Sequence, residues 1–149
     1  MIDLKYRAVL WQTLLFVFKL CIFARLLNYY TSMPTIQKIH YKGSEIVYVD
    51  YRGLEEDEMI ELATSLRTFL EGEPGHHLRL VNITDTPAGR KFTSYIRQLG
   101  KDTKHIPVKA AIVGITGAKK VLLSGYNRLL GGAMRPFDNE DAAKEYLVS

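Results

Sequence analysis

The chain contains one cysteine in 149 residues, and that residue, Cys21, lies near the N-terminus. Residues 33–149 can therefore form no internal disulfide, and they offer neither a thiol nucleophile nor a thiolate metal ligand. No Gly-x-Ser-x-Gly sequence, which would place a hydrolase nucleophile, occurs in the chain. The histidines, whose spacing is not that of a structural zinc site, are His40, His76, His77 and His105. We therefore expect a protein that is not an enzyme and that holds no metal or cofactor.

Most of the chain also has little excess of positive charge. The formal net charge is +4, but residues 1–32 hold four basic residues and one acidic residue and so contribute +3 of it. Residues 33–149 hold 16 basic and 15 acidic residues, a net charge of +1. Because this balance provides no broad basic surface, we expect no nucleic-acid binding by this part of the chain.

Residues 1–32 form an apolar leader, but Lys19 interrupts their apolar stretch. A spanning helix needs about 20 consecutive apolar residues. Lys5, Gln12 and Lys19 recur every seven residues, which would give a helix lying at a membrane surface a polar stripe. Alternatively, translation starts at Met33 and the leader is not expressed. The expected location is the cytoplasm, with membrane contact only if residues 1–32 are present.

Beyond the leader, short runs rich in β-branched and aromatic residues alternate with segments that have helical apolar spacing. This alternation predicts an α/β fold of order ββαβαβαβα, in which helices pack on a mostly parallel sheet. We interpret residues 33–149 as a single domain. The predicted strands are Ile36–Lys42, Glu45–Arg52, Leu78–Ile83, Val108–Ile115 and Ala133–Phe137. The predicted helices are Glu55–Glu71, a second that carries Phe92, Tyr95, Ile96 and Leu99 on one face, a third that begins at Gly117, and an amphipathic fourth that includes Ala142, Ala143, Tyr146 and Leu147.

Particular residues predict where these helices begin, end and face. The four acids at 55–58 lie in the first turn of the first helix, where they complement the helix dipole. Gly100 and the pair Gly131-Gly132 are predicted to end the second and third helices. Asp138 is predicted to cap the last helix, with Asp141 at capping-box spacing. The residues of the third helix that are predicted to face inward are Val121, Leu122, Tyr126, Leu129 and Leu130.

The loop from Thr84 to Gly89 is the strongest local candidate for a working site. It follows a predicted sheet strand and precedes a helix, and ligands of open α/β sheets bind at that edge. A helix N-terminus also favours phosphate. Thr84 or Thr86 could carry a phosphate whose charge repels or recruits a partner. The structural alternative is that both threonines only cap the helix and shape the turn.

Two groups of basic residues are candidates for contact with an anion or an acidic partner. Lys119 and Lys120 lie at the start of the third helix, where their charges oppose the helix dipole. The glycines before them do not have the spacing of a phosphate-binding loop. Arg90 and Arg97 recur along the second helix. For both groups the alternative is a solvated outer surface.

Three segments resemble the STAS fold of bacterial anti-anti-sigma factors, in particular a small stand-alone branch that is also compared with CRAL-TRIO lipid-transfer domains. They are Val-Asp-Tyr-Arg-Gly-Leu (49–54), Ala-Ala-Ile-Val-Gly-Ile-Thr-Gly-Ala-Lys-Lys (110–120) and Pro-Phe-Asp-Asn-Glu-Asp-Ala-Ala-Lys-Glu-Tyr-Leu (136–147). The likeness extends from about Thr35 to Leu147. It implies a non-enzymatic regulatory module that binds a protein partner, such as a regulator or a kinase.

In anti-anti-sigma factors a Ser or Thr after an Asp, at the start of the second helix, is phosphorylated. Asp85 and Thr86 match that pair, whereas Pro87 and Ala88 depart from the family pattern and delay its glycine to Gly89. The resemblance thus implies a phosphorylation switch at Asp85-Thr86. The comparison with CRAL-TRIO domains implies an alternative, a module that binds a lipid or small apolar ligand at a membrane surface. An enzymatic site would require Asp50, Asp85 and Thr86 to meet at one strand edge.

Overall fold

The computed structural model describes residues 36–87, 89–130 and 134–149. Their order of elements is ββαβαβαβα, as predicted. The strands are β1 (Ile36–Tyr41), β2 (Ser44–Asp50), β3 (His77–Asn82), β4 (Val108–Val113) and β5 (Met134–Phe137). The helices are α1 (Glu56–Gly72), α2 (Arg90–Thr103), α3 (Ala118–Leu130) and α4 (Glu140–Val148).

The five strands form one sheet in the order β1-β2-β3-β4-β5. Strands β1 and β2 are antiparallel, and the neighbours from β2 to β5 are parallel. The β1–β2 hairpin turns at Lys42 and Gly43, which both have positive φ (48° and 83°), as a two-residue turn between right-twisted strands requires. The mostly parallel α/β sheet predicted from the alternation of elements is confirmed.

Helices cover both faces of the sheet. On one face α4 packs against side chains of the central strands through Ala143 and Leu147, which are 0% and 2% exposed. On the other face α1 and α3 pack over the sheet, and α1 contributes Met59, Leu62, Leu66 and Leu70 to the larger core. Strand β4 is buried along its last four residues, which confirms the prediction that a continuous apolar run forms an inner strand.

Helix α2 lies on the same side of the sheet as α1 and α3 and contacts both helices. Two of its 14 residues are buried. Polar side chains hold it against α1: the hydroxyls of Thr64 and Tyr95 are 2.7 Å apart, and Arg67 Nη1 donates to Asp102 Oδ2 at 3.1 Å. Its apolar side is turned toward the core, where the ring centroids of Phe92 and Tyr51 are 5.4 Å apart.

Acidic residues start α1, as predicted. Glu55 is the N-cap, and Glu58 Oε2 accepts a hydrogen bond from the Glu55 backbone N–H at 2.8 Å. The Glu55 side chain in turn accepts from the backbone N–H of Glu58, which completes a capping box.

Three predictions about helix ends and faces are wrong. Helix α2 does not end at Gly100 but continues to Thr103, since side-chain bonds such as that from Gln98 Nε2 to Asp102 Oδ1 (2.8 Å) bridge the glycine. The N-cap of α4 is Asn139 and not Asp138, because Asn139 Oδ1 accepts from the Ala142 backbone N–H at 2.9 Å.

The third wrong prediction concerns the inward face of α3. Val121 was expected to face inward but is 74% exposed. The inward face carries Lys119, Leu123 and Tyr126, which follow one another at the spacing of a single helical face. A lysine therefore occupies a position on the inner face that the apolar pattern did not reveal.

Some predictions lie outside the described residues. They concern the leader (1–32), Gly131-Gly132, the start of the last strand at Ala133, and the side chains of Leu129 and Leu130. Within residues 36–130 and 134–149 as described, no helix combines the length and the apolar character needed to cross a membrane.

Candidate ligand-binding cavity

A cavity of about 140 Å³ lies between α2, α3 and the sheet. Its walls are mainly apolar. The sheet contributes Val81, Ile112 and Met134, helix α2 contributes Phe92, Ile96 and Leu99, and helix α3 contributes Leu122, Leu123 and Tyr126. Because apolar concavities with a few polar groups are the usual form of small-molecule sites, this cavity is the candidate functional site.

One row of the sheet faces the helices that surround the cavity. Val47, Arg79, Ala110 and Met134 lie opposite one another in neighbouring strands. Residues opposite one another point to the same face of a sheet, so this row faces α1, α2 and α3. Arg79 and Met134 of this row line the cavity.

Arg79 is a charged residue in the middle of this inner row. It is partly buried, and its side chain lines the cavity. The guanidinium Nε is fully buried and has no hydrogen-bond partner. No ion pair found among the described residues includes Arg79. Since more than about nine in ten buried polar groups are normally hydrogen-bonded, such a donor calls for an explanation.

Tyr51 shows that the charge of Arg79 acts inside the same cavity. Tyr51 is 2% exposed and lines the cavity. Burial raises the pKa of its phenol, and the positive charge of Arg79 acts in the opposite direction. Tyr51 and Arg79 thus lie close enough in the cavity wall for the charge of Arg79 to act on the phenol.

Lys119 is the second cation in the cavity wall, and it is bonded to the protein. Its Nζ donates to the backbone oxygen of Ile83 at 2.8 Å and to Thr86 Oγ1 at 3.2 Å. Burial lowers the pKa of Lys119, and the charge of Asp85 partly offsets this effect. Lys119 is thus not simply solvated, as the structural alternative had it, whereas its neighbour Lys120 is exposed.

The predicted loop lies at one end of the cavity, at the carboxyl edge of the sheet. Thr86 is 8% exposed, and its hydroxyl donates to the backbone oxygen of Ile83 at 2.8 Å. Asp85 is exposed and has a φ of 54°, a left-handed conformation that Asp tolerates better than most residues. Asn82 Oδ1 accepts from the Thr84 backbone N–H at 3.0 Å. The threonines therefore shape the turn, but neither caps α2.

A carboxylate already occupies the N-terminus of α2. Its N-cap is Gly89, which provides no side-chain bond. Glu56 Oε1 accepts from the Phe92 backbone N–H at 2.9 Å instead. The Glu56 carboxylate lies where a Cβ at position 89 would be, so a larger residue there would displace it from the helix end. The helix end that was predicted to favour phosphate is thus satisfied by the neighbouring helix.

The other predicted cations lie at the surface. Arg90 is exposed at the start of α2, and Arg97, also exposed, contributes to the cavity wall. The structure thus brings Arg97, Thr86 and Lys119 to one cavity, while Arg90 and Lys120 are not part of it.

A separate polar network lies on the opposite face of the sheet, beside α4. Tyr48 Oη and Asn82 Nδ2 donate to Glu140 Oε1 at 2.7 and 2.8 Å, and Arg52 pairs with Asp50 at 2.6 Å. Burial acts to raise the pKa of Glu140, but these two hydrogen bonds and nearby positive charges outweigh it and lower the pKa. The network is saturated by its own members.

The three residues considered for an enzymatic site do not form one group. The contacts of Asp50 lie in this network, those of Thr86 lie in the cavity wall, and Asp85 is exposed. In the described part of the chain, no three side chains of His, Cys, Asp or Glu come together as a metal site would require.

Sequence reasoning missed Arg79. Its signal was present in the strand Leu-Arg-Leu-Val-Asn (78–82). A strand covered by helices on both faces has no solvent-facing side, so a basic residue inside it is unusual.

Comparison of the chain with protein-family models, with curated proteins and with solved structures finds no match in any of the three.

Proposed function

We propose that this domain is a non-enzymatic module that binds a small apolar ligand in the cavity beneath α2. The observation that carries the proposal is the cavity itself, a mainly apolar space of about 140 Å³ that is partly open to solvent. Protein interiors are close-packed and contain few voids larger than a water molecule. An apolar cavity of about 150 Å³ is large enough to hold benzene, so a ligand of roughly that size fits the walls.

The way in which α2 is attached supports binding. Polar side chains join α2 to α1, and most of the residues of α2 are not buried. A helix attached in this way moves outward at lower cost than one packed on the sheet, because little apolar surface is uncovered. Ligand entry beneath α2 is therefore expected without unfolding of the sheet.

The proposal is tested by NMR titration of the full chain with benzene and with 1-hexanol. We expect saturable shifts of backbone amides at Val81, Ile112 and along α2. Val81→Phe fills the cavity from its sheet side, since Val81 is 6% exposed in the wall, and should abolish the shifts.

Ile39→Phe is the matched control, because Ile39 packs on the other face of the sheet, and it should leave the shifts in place. Circular dichroism of each variant verifies folding. Absence of saturable shifts in the wild type, or equal binding by Val81→Phe, would contradict the proposal.

We propose regulation of a protein partner as a second function, in line with the STAS resemblance. The observation that favours it is the position of the Thr84–Thr86 turn, which places Thr86 in the cavity wall and Asp85 at the surface. A single turn thus links the cavity to the exterior. A phosphate on Thr86 would lie beside the Lys119 ammonium, which is already 3.2 Å from the hydroxyl.

The burial of Thr86 sets a condition on this switch. Because Thr86 is only 8% exposed as a residue and its hydroxyl donates to the Ile83 backbone oxygen, a kinase reaches it only after the loop opens. Phosphopeptide mapping of the protein isolated from its source cells tests the proposal, with Thr86 as the expected site. A phosphate found only elsewhere, or none under any growth condition, would count against the switch.

A further inference from the structure

We infer that the ligand of the cavity beneath α2 carries a carboxylate, and that this carboxylate pairs with the guanidinium of Arg79. The inference rests on the proposed function and adds the chemical class of the ligand: a small molecule with an apolar body and one negative charge. Its starting point is the unpartnered donor at the centre of the sheet.

An unpaired guanidinium donor is costly where Arg79 lies. Its Nε is shielded from solvent in the inner row of the sheet, among Val47, Ala110 and Met134. Buried charges in proteins are normally paired, because the loss of hydration is not otherwise compensated. An anion that enters the cavity would therefore provide the partner that this arginine lacks within the protein.

Arg79 is the best anion partner of the three cations in the wall. Arg97 is exposed, so solvent would weaken an ion pair with it. The ammonium of Lys119 already donates to Ile83 and Thr86, whereas Arg79 Nε donates to nothing. The guanidinium also presents parallel N–H groups that match the two oxygens of a carboxylate. An anionic group therefore gains most at Arg79.

The apolar body has a defined direction from that point. The wall continues from Arg79 along the same face of β3 through Val81 to Ile83. With a rise of about 3.3 Å per residue, these four steps cover roughly 13 Å. A short aliphatic chain or a single aromatic ring attached to the carboxylate would lie along this wall, beneath Ile96 and Leu99 of α2.

The test compares hexanoate with 1-hexanol, which have similar apolar bodies and differ in charge. Both are titrated into the wild-type full chain, into Arg79→Met and into Arg128→Met, and the dissociation constants are measured by NMR. Arg128 is an exposed arginine of α3 outside the cavity wall, so its replacement removes the same charge without touching the site. Arg79→Gln replaces Arg79→Met if circular dichroism shows that the methionine variant does not fold.

We expect the wild type and Arg128→Met to bind hexanoate at least about tenfold more tightly than 1-hexanol, as a hydrogen bond to a charged group provides. In Arg79→Met the preference should disappear. If the wild type binds both probes equally, the carboxylate inference is overturned while the proposed function stands. A preference that persists in Arg79→Met overturns the role of Arg79, and binding of neither probe overturns both.

Discussion

Replacing Arg79 with methionine should stabilise the protein in the absence of ligand. Most substitutions of partly buried residues destabilise a fold, so the expected sign is unusual. It follows from the structure: the substitution removes a buried donor that has no partner and places an unbranched apolar side chain of similar reach against an apolar wall. Breaking a paired arginine would have the opposite effect, because it would leave an acid without its partner.

The magnitude follows from the cost of the unpaired donor. A buried polar group without a partner costs about 1–3 kcal/mol. Arg79 as a whole is only partly buried, so the lower part of that range applies, and we expect a gain of about 1 kcal/mol in the free energy of unfolding. For a domain of this size the corresponding rise in melting temperature is about 3–5 °C.

The assay is equilibrium unfolding in urea, followed by circular dichroism, for the wild type, Arg79→Met and Arg128→Met. Arg128 is exposed, so its replacement should change stability by no more than about 0.5 kcal/mol. Loss of about 1 kcal/mol or more in Arg79→Met, with Arg128→Met unchanged, would refute the reasoning. That result would mean that Arg79 stabilises the fold itself and is not an unpaired residue whose role is to bind a ligand.

Four other substitutions test the local structure, each by urea unfolding. Folding lowers the pKa of Glu140 below its ordinary value of 4.5, so its contribution to stability is complete above that pH and is lost as the pH falls through the lowered value; Glu140→Gln should flatten this acid dependence. Gly114 has a φ of 87°, and a Cβ there would meet the loop backbone, so Gly114→Ala should cost roughly 2–4 kcal/mol. Gly125→Ala, with no atom within 4 Å of the new Cβ, should instead gain about 0.5–1 kcal/mol. Thr86→Val removes one acceptor of Lys119 and should cost about 1 kcal/mol.

Each of these expectations has a clear contrary outcome. Parallel acid profiles of the wild type and Glu140→Gln would show that the carboxylate network beside α4 adds nothing to stability. Equal effects of alanine at Gly114 and Gly125 would mean that the backbone at 114 relaxes away from the loop. An unchanged or higher stability of Thr86→Val would show that Lys119 finds another acceptor.

The fold was largely predictable because its signals are local. Alternating strand and helix patterns fix the order of elements, and parallel neighbours follow from the crossovers between them. The acids at 55–58 cap α1 as expected. The errors at Gly100 and Asp138 arise where two local signals compete. Side-chain hydrogen bonds across Gly100 allow α2 to continue past a residue that often ends helices. At the start of α4, Asp138 and Asn139 are adjacent capping residues, and the backbone geometry places Asn139 at the cap.

The site was predictable only in part. The loop at Thr84–Thr86 was identified from its position after a strand, and it does form one end of the cavity. Arg79 was missed because a lone basic residue in a strand pattern is normally assigned to an exposed side. Lys119 was identified for the wrong reason: it lies on the inner face of α3 and bonds to the neighbouring loop.

By itself the sequence determined which residues form strands and helices and which faces of them are apolar, since these depend on near neighbours in the chain. Only the tertiary structure decided that a cavity lies between α2, α3 and the sheet, and that Arg79 lines it with a buried Nε that has no hydrogen-bond partner. Periodicity shows which side of a helix faces inward, but not how far from the sheet that helix comes to rest. The distance between helix and sheet is set by side chains from several elements at once. It determines whether a cavity that could bind a ligand lies between them.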